Sequence, residues 1–164
     1  MKIYTILFLF LAVPQTLLAQ DNFSVSANTG LVLAKEDLGK SVGGRFGVDF
    51  NRFGLEASYQ YSELDSSSIN DYIISKYALT AGYNVYSQDK NFLMTLKTGP
   101  ALLYFNGFEE SNCSNLGLDI SVALSYNLFD SLDLEMGLTN NLNKKTNSFL
   151  QTFFGFKYNF RKKN

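Results

Sequence analysis

The residues of this sequence that could do chemistry are carboxylates, amines, hydroxyls and one thiol, with no imidazole among them. The 164-residue chain has no His. A Ser–His triad, an imidazole general base and a His-ligated metal are therefore outside its means. Asp133 and Glu135 stand two residues apart. On an extended segment they share a face, as a pair of carboxyls working as acid and base would. Asp49 and Glu56 could form a second such pair across a turn. The plainer reading makes all four acceptors in a structural network with Lys157 and Arg45. Glu109 and Glu110, or Glu63 and Asp65 with Asp71, could hold a divalent cation weakly, but a solvated loop accounts for them more simply. Cys113 has no second cysteine to pair with and reads as a lone loop thiol. No spacing singles out a Ser–Lys nucleophile. The chain reads as non-enzymatic, with no catalytic, cofactor or metal residues.

The elements that would position these charges are strands. Apolar and polar residues alternate with period two in eight segments. The clearest has Leu116, Leu118, Ile120, Val122, Leu124, Tyr126 and Leu128 on one face, with Gly117, Asp119, Ser121, Ala123, Ser125 and Asn127 on the other. In the other seven, the apolar face begins with Phe23, Val42, Phe53, Tyr77, Phe92, Leu132 and Leu150. Short links fall at 51–52, 87–91 and 129–131, and longer polar ones at 35–41, 63–72, 106–115 and 139–148. Strict alternation of long and short, with an even strand count, predicts an all-β, eight-stranded antiparallel up-and-down barrel. Its turns would be short at one end and its loops longer at the other.

Glycine and charge decide which face looks inward. Nine of the twelve glycines (Gly30, Gly43, Gly47, Gly54, Gly82, Gly99, Gly117, Gly137 and Gly155) fall on the polar face, Gly44 on the apolar face, and Gly39 and Gly107 in links. Glycine weakens a strand, so a solvent-facing surface has no use for so many, whereas a narrow lumen needs the room. The polar face also carries Arg45, Lys76, Lys97 and Lys157 against Asp49, Glu56, Asp119, Asp133 and Glu135. These charges nearly cancel, as a closed polar interior requires. The apolar face carries no charge within the proposed strands. Its aromatics gather in two groups, one with Phe23, Phe50, Phe53, Phe92 and Phe160, the other with Tyr59, Tyr61, Tyr77 and Tyr104. Two belts with aliphatics between them match interfacial girdles. The barrel is therefore expected to be transmembrane, with lipid outside and a network of paired charges inside. Simple hairpin registers place Lys76 and Asp119 level with each other, Ala101 between them, and Lys157 diagonal to Asp133. Pro100 inside the fifth strand predicts a bulge or local break at Gly99-Pro100.

The N-terminus reads as a separate piece. Lys2 precedes an apolar run over residues 3–13, and Leu17-Leu18-Ala19 follows Pro14. This is the layout of a secretory signal peptide cleaved after Ala19, leaving a barrel domain over 20–164. The run is shorter than the ~20 residues of a spanning helix. The net charge of −1 gives no electrostatic case for nucleic acid. A mean hydropathy near zero excludes a helical membrane protein but suits a wall with two unlike faces.

The last segment, Phe153-Phe154-Gly155-Phe156-Lys157-Tyr158-Asn159-Phe160, resembles the closing strand of bacterial outer-membrane barrels. With the signal peptide and eight strands, the chain is similar to the small OmpX-like and OmpA-type transmembrane barrels. The resemblance implies residence in the outer membrane of a Gram-negative bacterium, contact with its lipid, and recognition of the last strand by the assembly machinery. It departs in the added Arg161-Lys162-Lys163-Asn164. The lipid-A acylases and deacylases and omptin-type proteases of such barrels use His, which this chain lacks. The expected function is a non-enzymatic barrel with a filled polar lumen, serving envelope integrity or binding an extracellular partner through its loops. The alternatives are a narrow pore or conduit for small hydrophobic molecules and, further off, a soluble periplasmic barrel.

Overall fold

The computed structural model describes residues 22–161 apart from 51, 66–70, 87–90, 109–110 and 145. The expected signal peptide, Glu109, Glu110 and the last three residues lie outside the described residues. The rest forms β1 (Asn22–Ala34), β2 (Asp37–Phe50), β3 (Phe53–Asp65), β4 (Tyr72–Tyr86), β5 (Phe92–Phe108), β6 (Ser111–Phe129), β7 (Leu132–Asn143) and β8 (Asn147–Arg161). Each strand pairs antiparallel with the next, and β1 pairs with β8 to close the barrel.

The register sets the tilt. From Phe23 the paired positions run through Val48, Leu55, Ala81, Thr98, Ile120, Asn140 and Leu150 and return to β1 at Leu33, ten residues above the start. Eight strands with that stagger tilt by about 40°. The lumen is then just wide enough for side chains to fill.

The wall alternates as expected. Leu55, Leu79, Leu96, Ile120, Leu124, Met136 and Phe156 are exposed on its outside, while Ser26, Thr80, Ser121, Ser125 and Gln151 are buried within. Glycine makes the interior possible. A Cβ on Gly43 would stand 2.5 Å from the Gln60 Oε1, and one on Gly54 would stand 2.5 Å from an Asp49 carboxylate oxygen.

Three expectations are corrected. The long polar links belong mostly to strands: β1 and β2 are joined by Lys35 and Glu36 alone, and β5 and β6 extend to Phe108 and Ser111. Gly39 consequently lies in β2 and Gly107 in β5, and Cys113 lies half-buried in β6 against apolar neighbours, not in a loop. At Gly99-Pro100 the expected local break is present: the β4–β5 ladder stops at Ala78 opposite Ala101 and resumes in register at Ala81 opposite Thr98. Pro100 has no N–H to donate, but no residue is inserted. A separate irregularity falls between Phe105 and Phe108 on the β5–β6 ladder.

Candidate functional site in the barrel lumen

The nine charged residues singled out above all project into the lumen, where β2 to β8 bring them together in layers. Nearest the short-turn end, Asp133 accepts from Asn127 Nδ2 (2.8 Å) and Asn159 Nδ2 (2.7 Å). Asp49 accepts from Asn84 Nδ2 (3.2 Å) and pairs with Lys157 at 3.6 Å. Lys157 stands directly opposite Asp133 in the β7–β8 ladder, yet its ammonium reaches across the lumen to Asp49. The two amides already satisfy Asp133.

The next layer holds two acids and two bases. Arg45 donates to Glu135 at 2.8 Å and Lys97 donates to Glu56 at 2.6 Å. The cross distances are only a little longer, 3.9 Å from Arg45 to Glu56 and 3.8 Å from Lys97 to Glu135. The Arg45 guanidinium also lies 3.7 Å above the centre of the Phe153 ring. A planar, weakly hydrated cation is suited to such stacking.

Above this, Lys76 meets Asp119 at 3.0 Å, and Asn141 Nδ2 donates to the same carboxylate at 2.6 Å. The two residues are brought together as expected, but by another register. Lys76 is opposite Leu103, not Ala101, and Asp119 is opposite Gly99. The long lysine side chain spans the stagger.

Beyond this layer the interior turns mainly apolar, with Asn143 and Thr146 still buried and hydrogen-bonded to each other at 2.9 Å. Val32, Ala34, Leu64, Tyr72, Ile74, Leu103, Phe105 and Phe149 fill the outer third and are at most 1% exposed. They form one apolar cluster with Ala78 and Ala101. The Tyr72 hydroxyl donates to Asp37 at 3.1 Å at its outer edge. Outside the same stretch stand Lys40, Glu63, Asp65, Ser75, Asn106 and Ser148, on the opposite face from the plug residues beside them. The outer face turns polar along β3 and at Lys40 of β2, while Leu33 and Leu38 keep it partly apolar beside them. The plug and Phe153 are absent from the expected network. The signal for them is adjacency: Leu31-Val32-Leu33, Tyr72-Ile73-Ile74, Leu102-Leu103-Tyr104-Phe105 and Phe149-Leu150 are continuous apolar runs, which mark strands apolar on both faces.

The arrangement has little scope for catalysis. Asp133 and Glu135 face different partners, two amides and an arginine. Asp49 and Glu56 are each clamped by a separate lysine. The two cavities between the charged layers are about 20 Å³ each, the scale of water molecules. Among the described residues no cluster of three or more His, Cys, Asp or Glu could hold a metal ion.

No protein-family model matches the sequence, and no curated protein matches it significantly. Solved structures do resemble the fold. The Neisserial surface protein A superposes with a TM-score of 0.68 at 17% identity, over 84% of this chain and 95% of that one. Ail, the attachment invasion locus protein of Yersinia pestis, gives 0.57 at 16%, over 86% and 99%. The outer membrane enzyme PagL gives 0.53 at 10%, over 82% and 98%. At these identities the likeness is one of architecture: the chain has the closed eight-stranded fold of small outer-membrane barrels. Since an enzyme shares it, the fold alone does not decide activity.

Proposed function

We propose that this chain is a non-enzymatic outer-membrane protein with a closed lumen, exported by a signal peptide cleaved after Ala19. Its role is in envelope integrity or in contacts made by its outer hairpins with an extracellular partner. The observation that carries the closed-lumen reading is the apolar plug. A conduit needs a continuous hydrated path, and here the paired charges stop against packed Leu103, Phe105 and Phe149. The charge network is then structural: it lets a narrow barrel bury ions with each one paired or, as at Asp133, hydrogen-bonded by amides.

The change of polarity supports membrane residence. On β5 the apolar outer face runs from Phe92 to Tyr104, with Asn106 beyond. The ten steps from Phe92 to Leu102, tilted as the stagger requires, span about 25 Å, the height of a barrel's lipid-facing band. The hairpins past that level stand clear of the hydrocarbon as a folded rim. Their outer side is mixed: Leu33 and Leu38 are exposed there, while Tyr61 donates to Glu63 at 3.0 Å and Lys40 is opposite Glu63 in the ladder. The assembly machinery is the proposed partner of β8, through its alternating aromatics.

Cell fractionation tests the proposal. The protein should sediment with outer membranes, begin at Gln20, and shift its mobility in detergent gels on heating. Release as a soluble periplasmic protein would overturn it. Replacing Lys35, Glu36, Glu109 and Glu110 tests the interaction role: the barrel should still fold and any cell binding should fall.

A further inference from the structure

Between the Arg45 layer and the apolar plug lies one of the two small cavities, with a volume of about 20 Å³. A single water needs roughly 10–15 Å³ by this measure. Two of its lining side chains have unused hydrogen-bonding capacity. Gln60 is 5% exposed and Thr80 6%, yet neither Gln60 Nε2 nor Thr80 Oγ1 has a partner among the described residues. Buried amides and hydroxyls in folded proteins are nearly always satisfied, by protein or by ordered water.

We propose that this cavity is a built site for trapped water, which accepts from Gln60 Nε2 and bonds the Thr80 hydroxyl. The lining charges favour a neutral occupant. Lys76 is already paired with Asp119, and Lys97 with Glu56. Arg45, also in the lining, is held by Glu135. No lining charge is left for an ion to neutralise. Water both donates and accepts, which Gln60 and Thr80 together require.

Packed side chains flank the site on both sides. Outward stand Ala78, Ala101 and the rest of the plug. On the other side a second cavity is lined by Ser24, Asp49, Asn84 and Lys157, and Glu56 and Lys97 line both cavities. The Glu56–Lys97 pair is thus the partition between them. Water leaving the inner site must wait for that pair to separate, so its exchange is slow. The inference rests on the closed-lumen reading and deepens it.

A structure of the full chain from crystals soaked in bromide tests the site. Solvent density is expected within hydrogen-bond distance of Gln60 Nε2 and Thr80 Oγ1, with no anomalous bromide signal. The variant carrying Gln60→Met and Thr80→Val should keep the barrel and lose that density. Solution NMR in micelles provides a second readout: the Gln60 side-chain amide should show direct cross-relaxation with long-lived water. A dry cavity, a Gln60 amide turned onto a protein acceptor, or a bromide peak would each overturn the proposal. Ion conduction by the native chain would instead overturn the closed lumen on which it rests.

Discussion

The lower and outer parts of this barrel use the same strands with opposite chemistry. In the lower part Leu55, Leu96, Val122 and Leu124 face out, while Arg45, Glu56, Lys97 and Glu135 face in. In the outer part Ile74, Leu103, Phe105 and Phe149 face in, while Lys40, Glu63, Asp65 and Ser75 face out. A strand does not change its pleat between the two parts; only the residues on each face change. With the barrel in the outer membrane as proposed, the difference marks where the surrounding solvent changes. Lipid cannot hydrogen-bond, so polar groups collect inside and must satisfy one another. Above the bilayer water returns, and the ordinary hydrophobic effect fills the inside with apolar side chains.

Substitutions that mix the two chemistries should break the comparison, beginning with the charged layer. Arg45→Met leaves Glu135 without its close cation and Glu56 with Lys97 alone. A buried pair broken on one side costs about 3–5 kcal/mol. Urea titration in micelles should show a much lower midpoint, and Arg45→Lys should recover only part of it, because the stacking on Phe153 needs a planar cation. In the plug, Leu103→Ala should cost about 2–5 kcal/mol through the cavity it leaves. On the lipid side of the wall, Val122→Arg should cost about 2–4 kcal/mol near mid-membrane. At the rim, Lys40→Ala should change stability by no more than about 0.5 kcal/mol, since its outer face meets water. The contrast between Val122 and Lys40 locates the boundary. Equal costs at both positions would mean that the change of polarity does not mark the membrane surface.

How much of this was legible in the sequence depended on how regular each stretch is. β6 from Leu116 to Leu128 could be read residue by residue, because its alternation does not change phase there; its first residues, with Cys113 turned to the plug, were read as a loop. The lumen charges were legible for the same reason, together with the glycines beside them. The rim was not. Glu63-Leu64-Asp65 alternates as well as any segment, but its apolar residue points inward, whereas Tyr59 and Tyr61 just before it point outward. A rule that keeps one apolar face per strand reads that change of phase as the end of the strand, which turned strand ends into loops. Phe153 was hidden by its exposed neighbour Phe154. Registers failed by two residues around Lys76 because a hairpin's pairing depends on turn geometry, which the residue pattern does not fix. The ion pair with Asp119 survived that error only because lysine is long.

The central claim is that the apolar rim plug closes a barrel whose membrane-level interior is polar. Single-channel recording of the native chain in planar bilayers tests it most directly. The account predicts no steady conductance from the native barrel, and none after Leu103, Phe105 and Phe149 are all reduced to Ala unless Glu56 and Lys97 below them are also made small. Steady conduction by the native chain would contradict it.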